Sequence, residues 1–339
     1  MRVAGAASLL AVLLTSGVAL AAPPRRWESA RMPSAARAEA TALERADGQL
    51  LAGRRLRRIA AEVDPLGAGG LVVHLQEAKR TLEAAGGARA ASPELRLRLA
   101  EVLSDLGDYR QAAVVLETIV DHVPTHLRVD AWVELAVAYA KLGRTREELA
   151  CYERALVLEP HAPTRATMLA NQAEATMTTG DVDRAVSGYR AALATIEQLS
   201  AQEIQYYAPT TLWGLAVALD RAGQLDVALD AVLRARSYDP ADSRLAGDGW
   251  FYNPAHDEAW YAGLGHLAVA RRGPELDVRR EAYGRAIDSF REYVERAPAD
   301  DPWVPLARAR LAGLAVERAR FEKRLAPPLP RARGLSPSR

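Results

Sequence analysis

The stretch 131–160, AWVELAVAYAKLGRTREELACYERALVLEP, decides the fold of the chain around it. Trp132, Leu135, Ala136 and Tyr139 fall at helical spacing, so the four share one face of a predicted helix. Gly143 follows, the residue type that tolerates the left-handed backbone needed to close a helix in a tight turn. Tyr152 and Ala155 then share one face of a second predicted helix, and Pro160 prevents its continuation. The unit reads as helix, glycine turn, helix, proline stop.

The same pattern extends outward in both directions. Gly107, Gly143, Gly180 and Gly223 are spaced 36, 37 and 43 residues apart. Five residues beyond them lie Ala112, Glu148, Ala185 and Ala228; nine beyond lie Leu116, Tyr152, Tyr189 and Val232. Twelve beyond lie Ile119, Ala155, Ala192 and Ala235, and seventeen beyond lie Pro124, Pro160, Glu197 and Pro240. A small residue at the fifth position lets the second helix approach the first. The residues at nine and twelve interlock with the neighbouring unit. No unit of this size buries its apolar face alone, so stability must come from stacking.

Trp132-x-x-Leu135-Ala136-x-x-Tyr139, followed by Tyr152, Ala155, Leu156 and Pro160, resembles the tetratricopeptide (TPR) repeat, with alanine in place of the signature glycine. Glu148 stands where the family has alanine, and the third unit lacks the closing proline. The resemblance implies an all-α, right-handed superhelical solenoid of about five or six antiparallel helix pairs. Four repeats are expected over 91–240, preceded at 34–90 by a helical pair or degenerate repeat. An aromatic loop insertion at 241–257 separates them from an extended fifth repeat and capping helix at 258–324. The basic, proline-rich stretch 325–339 is expected to be a disordered tail.

The amino terminus reads as an export signal. Met1-Arg2 precedes an uncharged apolar run, and Ala19-Leu20-Ala21 has the small-x-small pattern of a cleavage site. Residues 1–21 are therefore expected to be removed and 22–33 to be flexible. An uncleaved anchor is the alternative. The expected location is the periplasm, with secretion as the other outcome. The 339 residues carry 44 basic and 43 acidic groups, but their distribution is uneven. Residues 25–60 have a net charge of +5 and 318–339 of +6, while 61–317 carry −11. An acidic array repels phosphate backbones, so nucleic acid is not expected as a partner.

Catalytic and metal signatures are absent. There is no nucleophile elbow, no phosphate-cradling glycine loop and no H-E-x-x-H. His122 and His126 have ligand-like spacing but straddle Pro124, and the single cysteine, Cys151, lies within a regular helix. The chain is expected to be non-catalytic and to need no cofactor. The resemblance instead implies a partner groove along the first helices, at Leu97, Glu101, Val133, Val137, Ala170, Glu174, Met177, Trp213, Val217 and His266. An extended or helical peptide with apolar anchors would suit that mixture. Trp250, Phe251 and Tyr252 form a second possible contact, either packed on the array or offered to a partner. The expected function is a protein-interaction scaffold of the bacterial envelope. A self-assembling structural subunit and an envelope hydrolase are the alternatives, and the oligomeric state stays open.

Overall fold

The computed structural model describes residues 34–63, 68–246 and 250–325. The signal segment 1–21, the segment 22–33 and the tail from 326 onward lie outside the described residues. Among the described residues there are thirteen α-helices, two three-residue 3-10 turns and no strand. The chain divides into two units after Met168, inside the seventh helix.

The first unit opens with the pair α1 (Ser34–Val63) and α2 (Ala68–Ala84), packed along each other. Helices α3 (Pro93–Asp105) and α4 (Tyr109–Glu117) form the next pair, and α5 (Arg128–Lys141) and α6 (Thr145–Val157) the one after it. Their ends follow from local chemistry. Ser92 caps α3 by accepting from the Leu95 amide at 3.1 Å, with Pro93 at the first helical position. At the α5–α6 turn, Gly143 has φ +69° and the Arg144 amide reaches back to the Tyr139 carbonyl at 2.9 Å. Nothing lies within 4 Å of where a Cβ on Gly143 would sit. The backbone angle, not crowding, therefore demands glycine there.

The second unit begins within α7 (Ala162–Thr178) and continues through α8 (Val182–Ile196), α9 (Ala201–Arg221) and α10 (Leu225–Tyr238). The missing proline of the third repeat is replaced by a capping box, in which Ser200 and Glu203 satisfy each other's backbone amides and start α9. The long Gly180–Gly223 interval is absorbed by the 21 residues of α9. Helices α11 (Asp257–Arg272) and α12 (Leu276–Arg296) make the sixth pair, and α13 (Val304–Leu325) packs on α12. The extra length of this pair lies in the helices, joined by the short turn Gly273–Glu275.

The repeat positions form the core. Ala112, Ala185 and Ala228 are fully buried, as are Ile119, Ala155, Ala192 and Ala235. Leu116, Tyr152, Tyr189 and Val232 are buried as well. Each such apolar side chain larger than alanine contributes roughly 1.5–3 kcal/mol relative to exposure, so stacking between pairs carries the stability of each unit.

Candidate functional site

The first helices of the pairs present two kinds of position. In the first unit, Val133 and Val137 lie one turn apart on α5 and stay half-buried, while Leu135, Ala136 and Tyr139 on the same helix are buried. In the second unit Ala170 and Glu174 repeat that spacing on α7, both half-buried with Asn171 beside them. His266 on α11 is half-buried too, and burial together with Arg285 and Arg236 lowers its pKa despite Asp242.

Other predicted groove residues are not available to a partner. Leu97, Met177, Trp213 and Val217 are all 2% exposed or less, so they belong to the cores of their units and cannot floor an open groove. Trp213 shows why. Its indole N–H donates to Asp242 Oδ1 at 3.2 Å, the Arg236 guanidinium lies 5.4 Å from its ring centroid, and Tyr261 packs at 6.1 Å. Arg236 in turn pairs with Asp242 at 2.7 Å and donates to the Gly265 carbonyl at 2.9 Å. Glu101 is also buried, its carboxylate paired with Arg98, which holds Asp47 of α1 at 2.6 Å.

The aromatic loop folds onto the second unit. Trp250 and Tyr252 meet Tyr261 edge-on at 6.0 and 5.1 Å, and each other at 5.9 Å. Phe251 between them is half-buried. Their mutual packing takes up much of the ring surface that a partner would otherwise meet.

An ionic network in the second unit was not foreseen from the sequence. Arg221 at the end of α9 pairs with Asp257 at the start of α11 at 2.6 Å, with both side chains at most 2% exposed. The Arg221 guanidinium stacks on Trp260 and Trp303 at 4.9 and 5.0 Å. Burial works against its charge, yet Asp257 leaves its pKa raised overall. Beside it Asp220, fully buried, accepts from Trp260 Nε1 at 3.1 Å and pairs with Arg310 of α13. Burial raises the Asp220 pKa, opposed by Arg310. Tyr293 donates to Asp301 at 3.0 Å, and His256 meets the other Asp301 oxygen at 2.9 Å. Arg221 is paired with Asp257 and Arg310 with Asp220, and Arg221 also reaches the Tyr293 hydroxyl of α12 at 3.5 Å, which makes the network a clamp among α9, α11, α12 and α13.

Two further groups bear on catalysis. Cys151 is buried and desolvation pushes its thiol up to about 12, the reverse of an activated nucleophile. Glu148, buried at the position where other repeats carry alanine, is pushed up to about 8 by desolvation. Among the described residues, no group of three histidine, cysteine or carboxylate side chains could hold a metal ion. No described helix is long and apolar enough to cross a membrane.

Comparison with known proteins agrees with the repeat reading. Residues 74–131 and 129–161 each match a family model described as tetratricopeptide repeat. This part of the chain, about a quarter of the 339 residues, thus carries TPR repeats, a module that typically mediates protein–protein interactions and generally serves as a non-catalytic scaffold. No curated protein matches the chain. Among solved structures it is similar to the nearly identical TPR-like repeats of a Podosopora anserina kinesin light chain. That match is 20% identical over 58% of this chain and 96% of the other, with a TM-score of 0.45. It is also similar to the Cut9–Hcn1 hetero-tetramer of the APC/C (15% identical, 83% of this chain, 48% of that chain, TM-score 0.45). MamA protein is a third (15% identical, 59% and 95%, TM-score 0.39).

Proposed function

We propose that the chain is a non-catalytic protein-interaction scaffold of the bacterial cell envelope, which holds partner peptides along the first-helix faces within each unit. The observation that carries this reading is the pairing of half-buried residues one turn apart, Val133 with Val137 and Ala170 with Glu174, beside the buried Leu135, Ala136 and Tyr139 of α5 and Ala173, Ala175 and Met177 of α7. Val133 and Val137 leave apolar area open in a row that matches the anchor spacing of an extended or helical peptide, and Glu174 sets a carboxylate beside Ala170. The TPR repeats over 74–161 supply the functional class. The envelope assignment draws on the export-like pattern of residues 1–21.

Two experiments test it. The mature chain and a Val133→Glu/Val137→Glu variant of equal helicity are compared for co-purifying proteins from an envelope extract. A partner held by the first and lost by the second supports the groove, and equal recovery overturns it. Cell fractionation with amino-terminal sequencing tests the location; an intact Met1 in a cytosolic fraction overturns export.

A further inference from the structure

The first unit carries a second recess, lined by Asp121, Arg128, Trp132, Arg154, Val157 and Leu158, with a volume of about 260 Å³. Neither Val133 nor Val137 lines it, so it is separate from the groove proposed above. It is built by the start of α5, the end of α6 and the loop after α4.

Its two arginines differ from those that the ion pairs of the chain engage. Arg144, one turn before Glu148 on the same hairpin, is held by Glu117 and Glu147, and Arg98, Arg221, Arg236 and Arg271 each have carboxylate partners. Arg128 and Arg154 have none among the described residues. The Arg154 guanidinium lies 5.0 Å from the Trp132 ring centroid. Stacking of this kind engages the face of the cation and leaves its in-plane N–H groups to donate. Arg128 lines the same recess; its Nε is shielded from solvent and makes no hydrogen bond to a described residue. Beside these donors stands apolar surface. Val157 is 79% exposed, Leu158 37%, and Trp132 is half-buried.

Size and charge together select the occupant. A recess of this volume falls below the usual range for cofactor and drug-sized ligands but accepts one or two side chains. Two arginines against Asp121 favour a single carboxylate, and Asp121 disfavours a run of them. We propose that this recess receives one acidic side chain of a protein partner, with the apolar residue next to it resting on Trp132 and Val157.

The test uses the full chain labelled with ¹⁵N and follows its tryptophan indole signals, that of Trp132 being assigned with Trp132→Phe. The probes are acetyl-Asp-Leu-amide, acetyl-Asn-Leu-amide and sodium acetate. The expected result is a saturable shift of the Trp132 signal with acetyl-Asp-Leu-amide. The apparent Kd should rise at least tenfold for acetyl-Asn-Leu-amide, and equally for Arg154→Gln and Arg128→Gln chains of unchanged circular dichroism. Arg154→Lys, which keeps charge but not the fork, should fall between. A non-saturating shift overturns the proposal, as does equal binding of the Asp and Asn probes or indifference to both substitutions. Acetate binding as tightly as the dipeptide overturns its apolar half.

Discussion

The ring of Tyr189 on α8 fills the space where a Cβ on residue 214 of α9 would stand. A methyl group built on Gly214 would lie 2.4 Å from Tyr189 Cε1 and 2.5 Å from Cζ. Tyr189 is the ninth-position residue of its repeat, so this contact is the stacking interface between two helix pairs seen at its tightest point. Gly214→Ala is expected to destabilise the second unit. Overpacking costs about 1–3 kcal/mol, against which alanine recovers about 1 kcal/mol of helix propensity. Thermal unfolding followed by circular dichroism should show a lowered Tm for Gly214→Ala, partly restored when Tyr189→Leu is added. An unchanged Tm would mean that Tyr189 moves aside at no cost.

Glu148 gives a pH dependence with a definite sign. Its folded-state pKa is raised by desolvation from 4.5 to about 8. Below pH 4.5 the carboxyl is protonated in folded and unfolded chains alike and contributes no difference. As the pH rises toward 8, the unfolded chain releases this proton and the folded chain does not, so stability falls across that window. Each pKa unit corresponds to about 1.4 kcal/mol, so the loss amounts to several kcal/mol. Glu148→Ala restores the residue type of the other repeats. Its Tm advantage over the natural chain should grow steadily from pH 5 to pH 8. Parallel Tm-against-pH curves for the two proteins would show that Glu148 ionises freely.

How much of this was legible in the sequence depends on how far away each residue's partners lie. The helix pairs were legible because Gly107, Gly143, Gly180 and Gly223 fix the turns. Alanine or isoleucine at the twelfth position and a bulky residue at the ninth then fix the buried faces. The Arg98–Glu101 pair was also within reach, since residues three apart on a helix are neighbours. Trp213 was not. It sits at a first-helix position that the repeat resemblance assigns to the groove, and what covers it comes from Arg236, Asp242 and Tyr261, beyond its own helix. The Arg221–Asp257 clamp is hidden for the same reason, its two ends being 36 residues apart. Arg128 and Arg154 gave no local signal, because an arginine without a partner looks the same in sequence as one with a partner.

That clamp supports a third prediction. Arg221 and Asp257 are buried together, and removing one leaves the other as an uncompensated charge in a low-dielectric interior. Arg221→Met is expected to cost about 3–5 kcal/mol. The double variant Arg221→Met/Asp257→Leu should recover much of it, because no lone charge is left behind. Hydrogen exchange would localise the effect. Amides of α11 and α12 should lose protection in Arg221→Met while those of α3 to α6 keep theirs. Uniform loss along the chain would show that the clamp is not confined to the second unit.

A final prediction separates the groove residues by what they do. Val133 and Val137 are half-buried and Trp213 is 2% exposed, so the same substitution should cost little stability at the first place and much at the second. Glutamate at Val133 and Val137 can turn its carboxylate to water, and the Tm should change by only a few degrees. Glutamate at Trp213 would bury a charge among Tyr261, Arg236 and Asp242, lose the indole bond to Asp242, and leave a void from the lost rings. Loss of a buried tryptophan alone costs about 3–5 kcal/mol. Trp213→Glu should therefore melt far below the natural chain, while Trp213→Phe keeps most of the packing and falls only part of the way. If Trp213→Glu instead kept its Tm and lost a partner that Val133→Glu/Val137→Glu still bound, Trp213 would be a surface anchor. The enclosure by Arg236 and Tyr261 would then have to open in solution.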